Sequence, residues 1–498
     1  MTPGTTPGTT PDWAGLRVVV AGIGVSGFAA ADALLERGAK VVVIDPRSEQ
    51  SQRERGIVLD TLGADIRLGP DAVRELPTVA GEPAELLVIS PGWDDDQPVL
   101  RQALAAGLPV WGEAELAWRM RPATGAAPWL SITGTRGKAT TATMLAAMLT
   151  AAGHRATAIG QAGTSLLEAV LHPVRYDVLA VQLSGFQLRW ATSLQPHSSV
   201  CLNVSGTDLD DGSLAARGRV YQNTELACVY NVADPVTEQL VMDAEVIEGC
   251  RAIGFTLGVP AISMLGLVDD VLADRAFVET RQNSAAELGT LRDLQGDAPS
   301  IAPHYVANAL AAAALARAYG VGPLSVRDGL RSFRPDPHRI ADVETVDGVR
   351  FVNDSKATNP HAASASLRSF DKVVWIAGGL LKGASETQLD ELVTSVRDRL
   401  RGVVLIGADR MRIAEALARH APDVPVVDVG SSETVDVTFS PGVDVMDDVV
   451  ARAAELAVPG DVVLLAPAAA SMDMFANYGA RGDAFEAAVR RWAEGPRR

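Results

Sequence analysis

A short glycine loop that ends in a lysine offers the clearest chemistry in this sequence. The loop Gly134–Lys138 (GTRGK) follows the apolar run Trp129–Ile132 and precedes a stretch of helical composition from Thr140 onward. A loop between a strand and a helix presents backbone N–H groups and a lysine to the phosphates of a nucleotide. The spacing Gly-x-x-Gly-Lys is more compact than the Walker pattern, but its place between a strand and a helix predicts a nucleotide site.

A second glycine turn lies near the start of the chain. The segment GIGVSG at 22–27 follows the apolar run Leu16–Ala21, and a helical stretch then leads through Val41–Ile44 to Asp45. This is the order of a Rossmann-type unit, which has a strand, a glycine turn, a helix, a second strand and then an acidic residue. In such a unit the backbone amides of the turn approach a phosphate. A further strand, Leu86–Ile89, ends at Ser90-Pro91-Gly92. We expect a nucleotide-bearing ligand here; glycines used only for packing, or a nicotinamide cofactor, are the alternatives.

The elements that position these loops alternate between strands and helices along the chain. At about 100–200 residues per domain, 498 residues predict about three domains. We predict an α/β fold with a disordered tail at 1–12 and domains at 13–122, 123–334 and 335–498, with a linker at 121–128. The third domain should contain a parallel sheet with helices on both faces. Its predicted strands are Val349–Val352, Val373–Ile376, Gly402–Ile406, Val424–Val429 and Asp461–Leu465.

The composition excludes several classes of protein. The formal net charge is −17, which argues against binding to nucleic acid or an anionic membrane, since both require a basic face. No run of about 18 apolar residues predicts a membrane span, and the Thr/Pro/Gly-rich start lacks the pattern of a signal peptide. The three cysteines, Cys201, Cys228 and Cys250, have no metal or redox spacing. We expect buried structural thiols in a cytoplasmic protein.

Several motifs together resemble the Mur ligases, most of all the members that add D-glutamate. They are ITGTRGKATT, YDVLAVQLSGFQL, NALAAAALA, PHR at 337–339, NDSKATNPHA at 353–362, AGGLLKG at 377–383 and LLAPAAASMDMFANYGARGDAF at 464–485. The resemblance implies two Rossmann-like domains around a P-loop ATPase-like domain. It also implies ATP and Mg²⁺ as cofactors, and UDP-N-acetylmuramoyl-L-alanine and D-glutamate as substrates. ATP would phosphorylate the substrate carboxylate, and the amine of D-glutamate would displace the phosphate. We expect a monomer.

The resemblance carries roles to matching residues. The residues implied for ATP are Gly134, Thr135, Arg136, Gly137, Lys138, Ala139, Thr140, Asn308, Arg339 and Asp354. Those implied for the UDP-substrate are Gly22, Gly24, Ser26, Gly27, Asp45, Ser90, Gly92, Gln161 and Ser184. Those implied for D-glutamate are Lys356, Thr358, Lys382, Ser471 and Tyr478, since two lysines suit a dicarboxylate. The implied catalytic residues are Lys138, Arg217 and Lys356, and the implied metal ligands are Thr140, Gln182 and Asp208.

Four of these residues, and His338 beside Arg339, also have plain structural interpretations. Asn308 could pack in its alanine-rich helix, and Asp354 could end a strand. Lys382 could be a solvated loop lysine, and Tyr478 could pack as an aromatic side chain. His338 would usually be a structural or surface histidine.

The central domain departs from the family pattern where the family places charged groups. Arg136 stands in place of asparagine, and Ala139 in place of a hydroxyl residue that binds magnesium. Gln182 stands in place of a glutamate ligand, and Asp208 in place of a histidine ligand. Arg217 stands in place of a lysine that becomes a carbamate, and it adds a fixed cation where an anion is expected. A second magnesium site is therefore doubtful. Arg217 and Arg136 could instead contact phosphate directly.

Two functions of different classes follow from this pattern. The first is the D-glutamate-adding ligase, with one magnesium ion in place of two. The second is a catalytically weakened paralogue that binds the UDP-muramoyl precursor or D-glutamate as a regulator or scaffold. The intact D-glutamate motifs favour the ligase, and the altered metal positions favour the paralogue. A second, fully matching copy in the same genome would favour the paralogue.

Overall fold

The computed structural model describes residues 12–91, 93, 96–160, 165–205, 209–295, 301, 303–333, 338, 340–382, 384–430 and 441–495. The described residues up to Phe333 belong to one compact unit, and those from His338 onward belong to a second. Three sheets, each flanked by helices, confirm the predicted α/β class. No helix of the described residues is long and apolar enough to cross a membrane.

The first sheet has five parallel strands in the order β3-β2-β1-β4-β5. The strands are β1 (Arg17–Ala21), β2 (Lys40–Asp45), β3 (Asp65–Leu68), β4 (Leu86–Ile89) and β5 (Val110–Gly112). The helices are α1 (Val25–Glu36), α2 (Gln50–Thr61), α3 (Pro98–Ala105) and α4 (Glu113–Met120). All four residues of β4 are buried, as expected for a parallel strand covered on both faces. The predicted strand–turn–helix–strand order is confirmed.

The second sheet has nine strands in the order β14-β13-β12-β11-β10-β9-β6-β8-β7. The strands are β6 (Trp129–Thr133), β7 (Ala156–Ile159), β8 (Val178–Gln182), β9 (Ser198–Cys201), β10 (Ala227–Asn231), β11 (Arg251–Phe255), β12 (Met264–Val268), β13 (Val271–Asp274) and β14 (Ala286–Thr290). The helices are α5 (Lys138–Ala151), α6 (Leu166–Val170), α7 (Gly185–Arg189), α8 (Asp211–Gly218), α9 (Pro235–Met242), α10 (Leu291–Gln295), α11 (Pro303–Ala318) and α12 (Pro323–Ser332). Helix α5 begins at Lys138, two residues earlier than the sequence predicts, so the lysine is itself in the first helical turn.

The third sheet has six strands in the order β15-β16-β20-β17-β18-β19. The strands are β15 (Ala341–Val346), β16 (Val349–Asn353), β17 (Val373–Gly378), β18 (Leu400–Ile406), β19 (Val426–Gly430) and β20 (Val462–Leu465). The helices are α13 (Pro360–Leu367), α14 (Glu386–Val396), α15 (Arg410–His420), α16 (Pro441–Leu456) and α17 (Tyr478–Glu494). All five predicted strands are present within a few residues. The prediction of a parallel sheet was wrong at one edge, because β15 pairs with β16 in the antiparallel direction.

Strand β17 shows why helices cover both faces of the third sheet. Val373, Trp375 and Ala377 belong to one hydrophobic cluster, while Val374 and Ile376 belong to another. Successive residues of a strand point to opposite faces, so a strand that is apolar at every position needs a cover on each side. The continuous apolar run in the sequence therefore predicts a central strand.

Candidate functional site

The glycine–lysine loop connects β6 to α5, as the sequence predicts. Gly134 has φ of +143° and Gly137 has φ of +87°, a backbone region that favours glycine. A Cβ on Gly137 would lie 2.5 Å from Oδ1 of Asn308, so Asn308 packs directly against the loop. A Cβ on Gly134 would lie 3.0 Å from Cβ of Leu202. Both glycines are thus needed for local conformation and close packing.

A second segment, which follows β9, holds the same loop through hydrogen bonds. The backbone N–H of Thr135 donates to the carbonyl of Asn203 at 2.9 Å. The N–H of Arg136 donates to Oδ1 of Asn203 at 2.9 Å. The N–H of Ser205 donates to Oγ1 of Thr135 at 3.0 Å. Sequence reasoning missed Asn203, whose only signal was its place just after an apolar strand.

The ammonium group of Lys138 lies over the loop. It donates to the carbonyl of Gly134 at 2.6 Å and is 3.4 Å from that of Thr135. Ala139 and Thr140 follow in the first turn of α5, and both are partly buried. The side chain of Arg136 is exposed. The loop therefore combines a lysine, an arginine and the N-terminus of a 14-residue helix, an arrangement suited to a polyphosphate.

Gln182 and Arg217 are both buried in the same domain. Gln182 ends β8, opposite Ile132 of β6, and is 3% exposed. Arg217, on α8, is 5% exposed. Burial raises the pKa of the Cys201 thiol to about 12, while the positive charges of Arg217 and Lys138 oppose that shift. Both cations therefore act on one thiol at the end of β9.

These residues do not fit a second metal site. The described residues contain no group of three His, Cys, Asp or Glu side chains that could hold a metal ion. Gln182 supplies a neutral amide, and Arg217 supplies a cation that repels Mg²⁺, which favours anionic oxygen ligands. Asp208, the remaining predicted ligand, lies outside the described residues.

A cavity of about 380 Å³ lies between the first sheet and the second, within the first compact unit. Its lining includes four residues that the sequence predicts for the UDP-substrate: Gly24, Ser26, Ser90 and Ser184. It also includes Val25 and Pro91, which lie within the segments that the sequence predicts for this ligand. Sequence reasoning missed four further lining residues: Glu113, Gly160, Ser165 and Gln187. Four serines from different parts of the chain, Ser26, Ser90, Ser165 and Ser184, thus line one space. Gly92 and Gln161 lie outside the described residues.

Glu113 connects the two walls of this cavity. It is 4% exposed. Its carboxylate accepts a hydrogen bond from the hydroxyl of Ser26 at 2.5 Å and another from the N–H of Leu166 at 2.9 Å. The acid therefore links the start of α1 to the start of α6. No local sequence pattern marks it, because its partners are 87 and 53 residues away.

The glycine turn at 22–27 is held by Asp45. A Cβ on Gly27 would lie 1.8 Å from the carbonyl oxygen of Gly22, which requires glycine there. Asp45 is fully buried and accepts hydrogen bonds from the N–H of Ile23 at 2.9 Å and from Arg47. Burial raises its pKa, but these hydrogen bonds outweigh that effect and hold the pKa of Asp45 below its usual value. This geometry assigns Asp45 to the turn itself and does not place it as a ligand-facing acid.

In the second unit, the residues predicted for D-glutamate follow adjacent strands. Lys356 and Thr358 follow β16, Lys382 follows β17, and Ser471 follows β20. These three strands are parallel neighbours, so their carboxyl ends meet at one edge of the sheet, where α/β folds bind ligands. The ammonium of Lys356 lies 5.9 Å from the ring centroid of Tyr478.

The backbone at Lys382 is strained. Its φ is +40°, unusual for a non-glycine residue, and such strain is often found at functional sites. The preceding N–H, of Leu381, donates to Asp409 at 2.8 Å, which fixes the loop. The side chain of Lys382 is exposed. This exposure also agrees with the alternative interpretation, in which Lys382 is a solvated loop lysine.

Two of the remaining predictions fall on structural contacts. Asp354 is 4% exposed and accepts hydrogen bonds from the hydroxyl of Ser366 and the N–H of Ile340. His338 is 6% exposed, and its Nδ1 lies 2.9 Å from Nδ2 of Asn353. The structural interpretation of His338 agrees with this geometry. Arg339 lies outside the described residues.

Arg481 is the residue of this region that sequence reasoning missed. It is 1% exposed on α17. Its guanidinium donates to the hydroxyl and the carbonyl of Ser355, both at 2.9 Å, and to the carbonyl of Ala469 at 3.1 Å. Ser355 in turn donates to the carbonyl of Tyr478 at 2.7 Å. Burial lowers the pKa of Arg481 to about 10, so it remains a cation at neutral pH. One buried charge therefore connects the segments that carry Lys356, Ser471 and Tyr478.

Comparison with known proteins gives matches along nearly the whole chain. The model for the Mur ligase MurD-like N-terminal domain matches residues 16–112, and the model for the Mur ligase glutamate ligase domain matches residues 338–469. A solved UDP-N-acetylmuramate-alanine ligase from Thermotoga maritima is 18% identical, with a TM-score of 0.48, and covers 96% of this chain and 99% of its own.

Curated relatives are much more similar. Proteins named UDP-N-acetylmuramoylalanine--D-glutamate ligase are 55% identical in Streptomyces avermitilis and 50% identical in Thermobifida fusca. Each match covers 96% of this chain, and 99% and 98% of the relative. A protein of the same name in Mycolicibacterium smegmatis is 43% identical over 98% of this chain and 99% of its own. The chain therefore belongs to the Mur ligase family, with the three-domain α/β architecture, and resembles most its D-glutamate ligases.

Proposed function

We propose that this protein is an ATP-dependent, ADP-forming ligase that joins D-glutamate to UDP-N-acetylmuramoyl-L-alanine in cytoplasmic peptidoglycan precursor synthesis. The observation that carries the proposal is identity of 43–55% to proteins of that name over almost the full chain, which spans all three sheets. The substrates are small molecules, and we propose that the protein acts as a monomer in the cytoplasm.

In the proposed reaction, the substrate carboxylate attacks the γ-phosphorus of ATP and ADP leaves. A carboxylate is a poor electrophile, so the acyl phosphate supplies the leaving group. The amine of D-glutamate then attacks the acyl carbon, and the tetrahedral intermediate expels phosphate.

We assign Lys138 and the N–H groups of Gly134–Gly137 to the ATP phosphates, where fixed positive groups stabilise the charge that moves during phosphoryl transfer. Asn308 packs beside this loop. Mg²⁺ would enter as the ATP complex, with Thr140 as a candidate ligand.

We assign D-glutamate to the carboxyl edge of the third sheet. The ammonium groups of Lys356 and Lys382 suit its two carboxylates, and the hydroxyls of Thr358 and Ser471 add hydrogen-bond donors. The buried cation of Arg481, which bonds to Ser355 and Ala469, adds positive potential near Lys356 and Ser471. We assign the UDP-sugar to the cavity lined by Ser26, Ser90 and Ser184.

Phosphate release decides whether the ligase proposal holds. With ATP and UDP-N-acetylmuramoyl-L-alanine present, we expect phosphate to form on addition of D-glutamate and not of L-glutamate. Equal rates with both isomers, or phosphate formation with neither, would contradict the assignment. In the second case, calorimetry with the two substrates tests the alternative of a binding paralogue, which the buried Arg217 and the neutral Gln182 favour.

The cavity of the first unit should bind the UDP-sugar and not a dinucleotide. We expect calorimetric titration to show binding of UDP-N-acetylmuramoyl-L-alanine and none of NAD, because Asp45 is already occupied by Ile23 and Arg47. The variant Ser184→Ala should weaken UDP-sugar binding about fivefold, the effect of one lost hydrogen bond worth about 1 kcal/mol. Tight NAD binding without UDP-sugar binding would overturn this assignment.

Arg481 should position the D-glutamate residues. We expect Arg481→Lys, which keeps the charge but loses the fork of donors, to raise KM for D-glutamate about tenfold, consistent with loss of one or two hydrogen bonds. KM for the UDP-sugar should change less than about twofold, because that substrate binds elsewhere. The control is Arg419→Lys, whose guanidinium forms a surface ion pair with Asp390. An unchanged KM for D-glutamate, with only less folded protein, would indicate a purely structural role.

A further inference from the structure

Two thiols in the second sheet lie in direct contact. Sγ of Cys228, on β10, is 3.7 Å from Sγ of Cys250, which immediately precedes β11. The two strands are parallel neighbours, with Cys228 opposite Ala252. Cys250 is two residues before Ala252, so the alternation of side chains predicts the same face of the sheet. A disulfide needs an S–S distance of about 2.05 Å, so the two sulfur atoms must move closer together for the bond to form.

The two thiols differ in exposure and acidity. Cys228 is 2% exposed, whereas Cys250 is only partly buried. The hydrogen bond between them lowers the pKa of Cys250 and raises the pKa of Cys228, and burial raises the latter further. The thiolate is the reactive form of cysteine, so Cys250 is the thiol that meets an oxidant first. Cys228 is then the adjacent thiol that completes a disulfide.

We propose that Cys228 and Cys250 are a modification site, a dithiol that hydroperoxides oxidise reversibly to a disulfide. The thiolate of Cys250 attacks one peroxide oxygen, the O–O bond breaks, and the hydroxide that leaves takes up a proton. The sulfur of Cys228 then attacks the sulfur of the resulting sulfenic acid. The S–S bond forms, the S–O bond breaks, and the oxygen departs as water with the Cys228 proton. The two thiols are oxidised, hydrogen peroxide is reduced to two water molecules, and a small dithiol reverses the change by exchange.

Cys201 provides an internal control. It is fully buried on β9, and burial raises its pKa to about 12, so it remains a neutral, inaccessible thiol in the folded protein. Trypsin separates it from the pair. Peptide 220–251 contains Cys228 and Cys250 with no internal Lys or Arg, and peptide 190–217 contains Cys201.

The test is treatment of the folded full-length chain with hydrogen peroxide, followed by unfolding, alkylation, trypsin digestion and mass spectrometry. We expect peptide 220–251 to lose both alkylation sites and the mass of two hydrogen atoms, and dithiothreitol to restore both thiols. Peptide 190–217 should keep its alkylated cysteine. Two alkylated cysteines on peptide 220–251 after treatment, or oxidation of Cys201 at a comparable rate, would overturn the proposal.

Variants assign the order of the two steps. Cys228→Ala should leave Cys250 as a sulfenic acid that dimedone traps, and Cys250→Ser should leave Cys228 reduced and alkylatable. Far-UV circular dichroism checks that each variant folds. Because Cys250 is partly exposed, Cys250→Ser can carry the test alone if the buried substitution at Cys228 does not fold. Rapid oxidation of Cys228 in Cys250→Ser would contradict the proposed order.

Discussion

Replacing Arg217 by Lys and Gln182 by Glu together should create a second metal site and raise the rate of phosphate release at least about tenfold. In the family pattern, the lysine takes up CO₂ to become an anionic carbamate, and the glutamate supplies a second anionic ligand. Two unit charges about 4 Å apart interact by about 4 kcal/mol at an effective dielectric of about 20. Replacing a cation that repels the metal ion by an anion that attracts it, with an energy of that size, is sufficient to fill the metal site. Each 1.36 kcal/mol by which the activation barrier falls raises the rate about tenfold.

Manganese titration followed by electron paramagnetic resonance measures this effect without catalysis. With ATP and UDP-sugar bound, we expect one Mn²⁺ per native chain and two per double variant, with the second dependent on bicarbonate. Each single variant should gain less, because one unfavourable charge remains. Arg219→Lys is the matched control, since its guanidinium donates to the carbonyl of Arg189. Two tightly bound ions and rapid turnover in the native chain would refute this account and would mean that Asp208 or another carboxylate holds the metal.

Lys138→Ala should lower the rate of phosphate release by about 10²–10³, as does removal of one pre-organised group that stabilises a developing charge. Its ammonium lies at the loop carbonyls, 2.6 Å from that of Gly134, where a γ-phosphate would approach it. Single-turnover phosphate release at saturating ATP measures the chemical step, and titration with a fluorescent ATP analogue measures binding separately.

The control for this variant is Lys372→Ala, which removes a lysine of the third domain whose ammonium donates to the backbone carbonyl of Asp398. We expect its rate to be within about twofold of the native rate. If Lys138→Ala kept native turnover, the loop would not be the phosphate site. The Gly134–Lys138 segment would then be a structural connection between β6 and α5.

Some parts of the candidate site were predictable because their signals are local. The chain has five lysines, and three of them, Lys138, Lys356 and Lys382, follow apolar strands at positions that the sequence marks. The glycines at 134 and 137 indicate a backbone conformation that other residues rarely adopt. The apolar runs near these loops indicate buried parallel strands. Such patterns depend on neighbours within a few residues, so five of the six strands of the third sheet were also predicted within a few positions.

Other parts depended on contacts between distant residues. The antiparallel edge strand β15 has two exposed and four partly buried residues, and it lacks the apolar run that marked its neighbours. The register that brings Cys250 beside Cys228 likewise follows from the pairing of β10 with β11. Which strands pair, and in which register, is decided in the folded sheet. The local sequence only restricts the possible registers.

By itself, the sequence determined the α/β class, the glycine–lysine loop between a strand and a helix, and the strand ends that carry the predicted D-glutamate residues, because backbone conformation and hydrophobic pattern are encoded locally. Only the tertiary structure decided what the buried polar groups do. It placed Asp45 on the glycine turn, Glu113 across the cavity, and Arg481 between Ser355 and the carbonyl of Ala469. A buried charge requires hydrogen-bond partners, and here the most distant partners of these three side chains lie 22, 87 and 126 residues away in the chain. Tertiary packing decides which groups become the partners of a buried charge, so a short sequence motif cannot predict them.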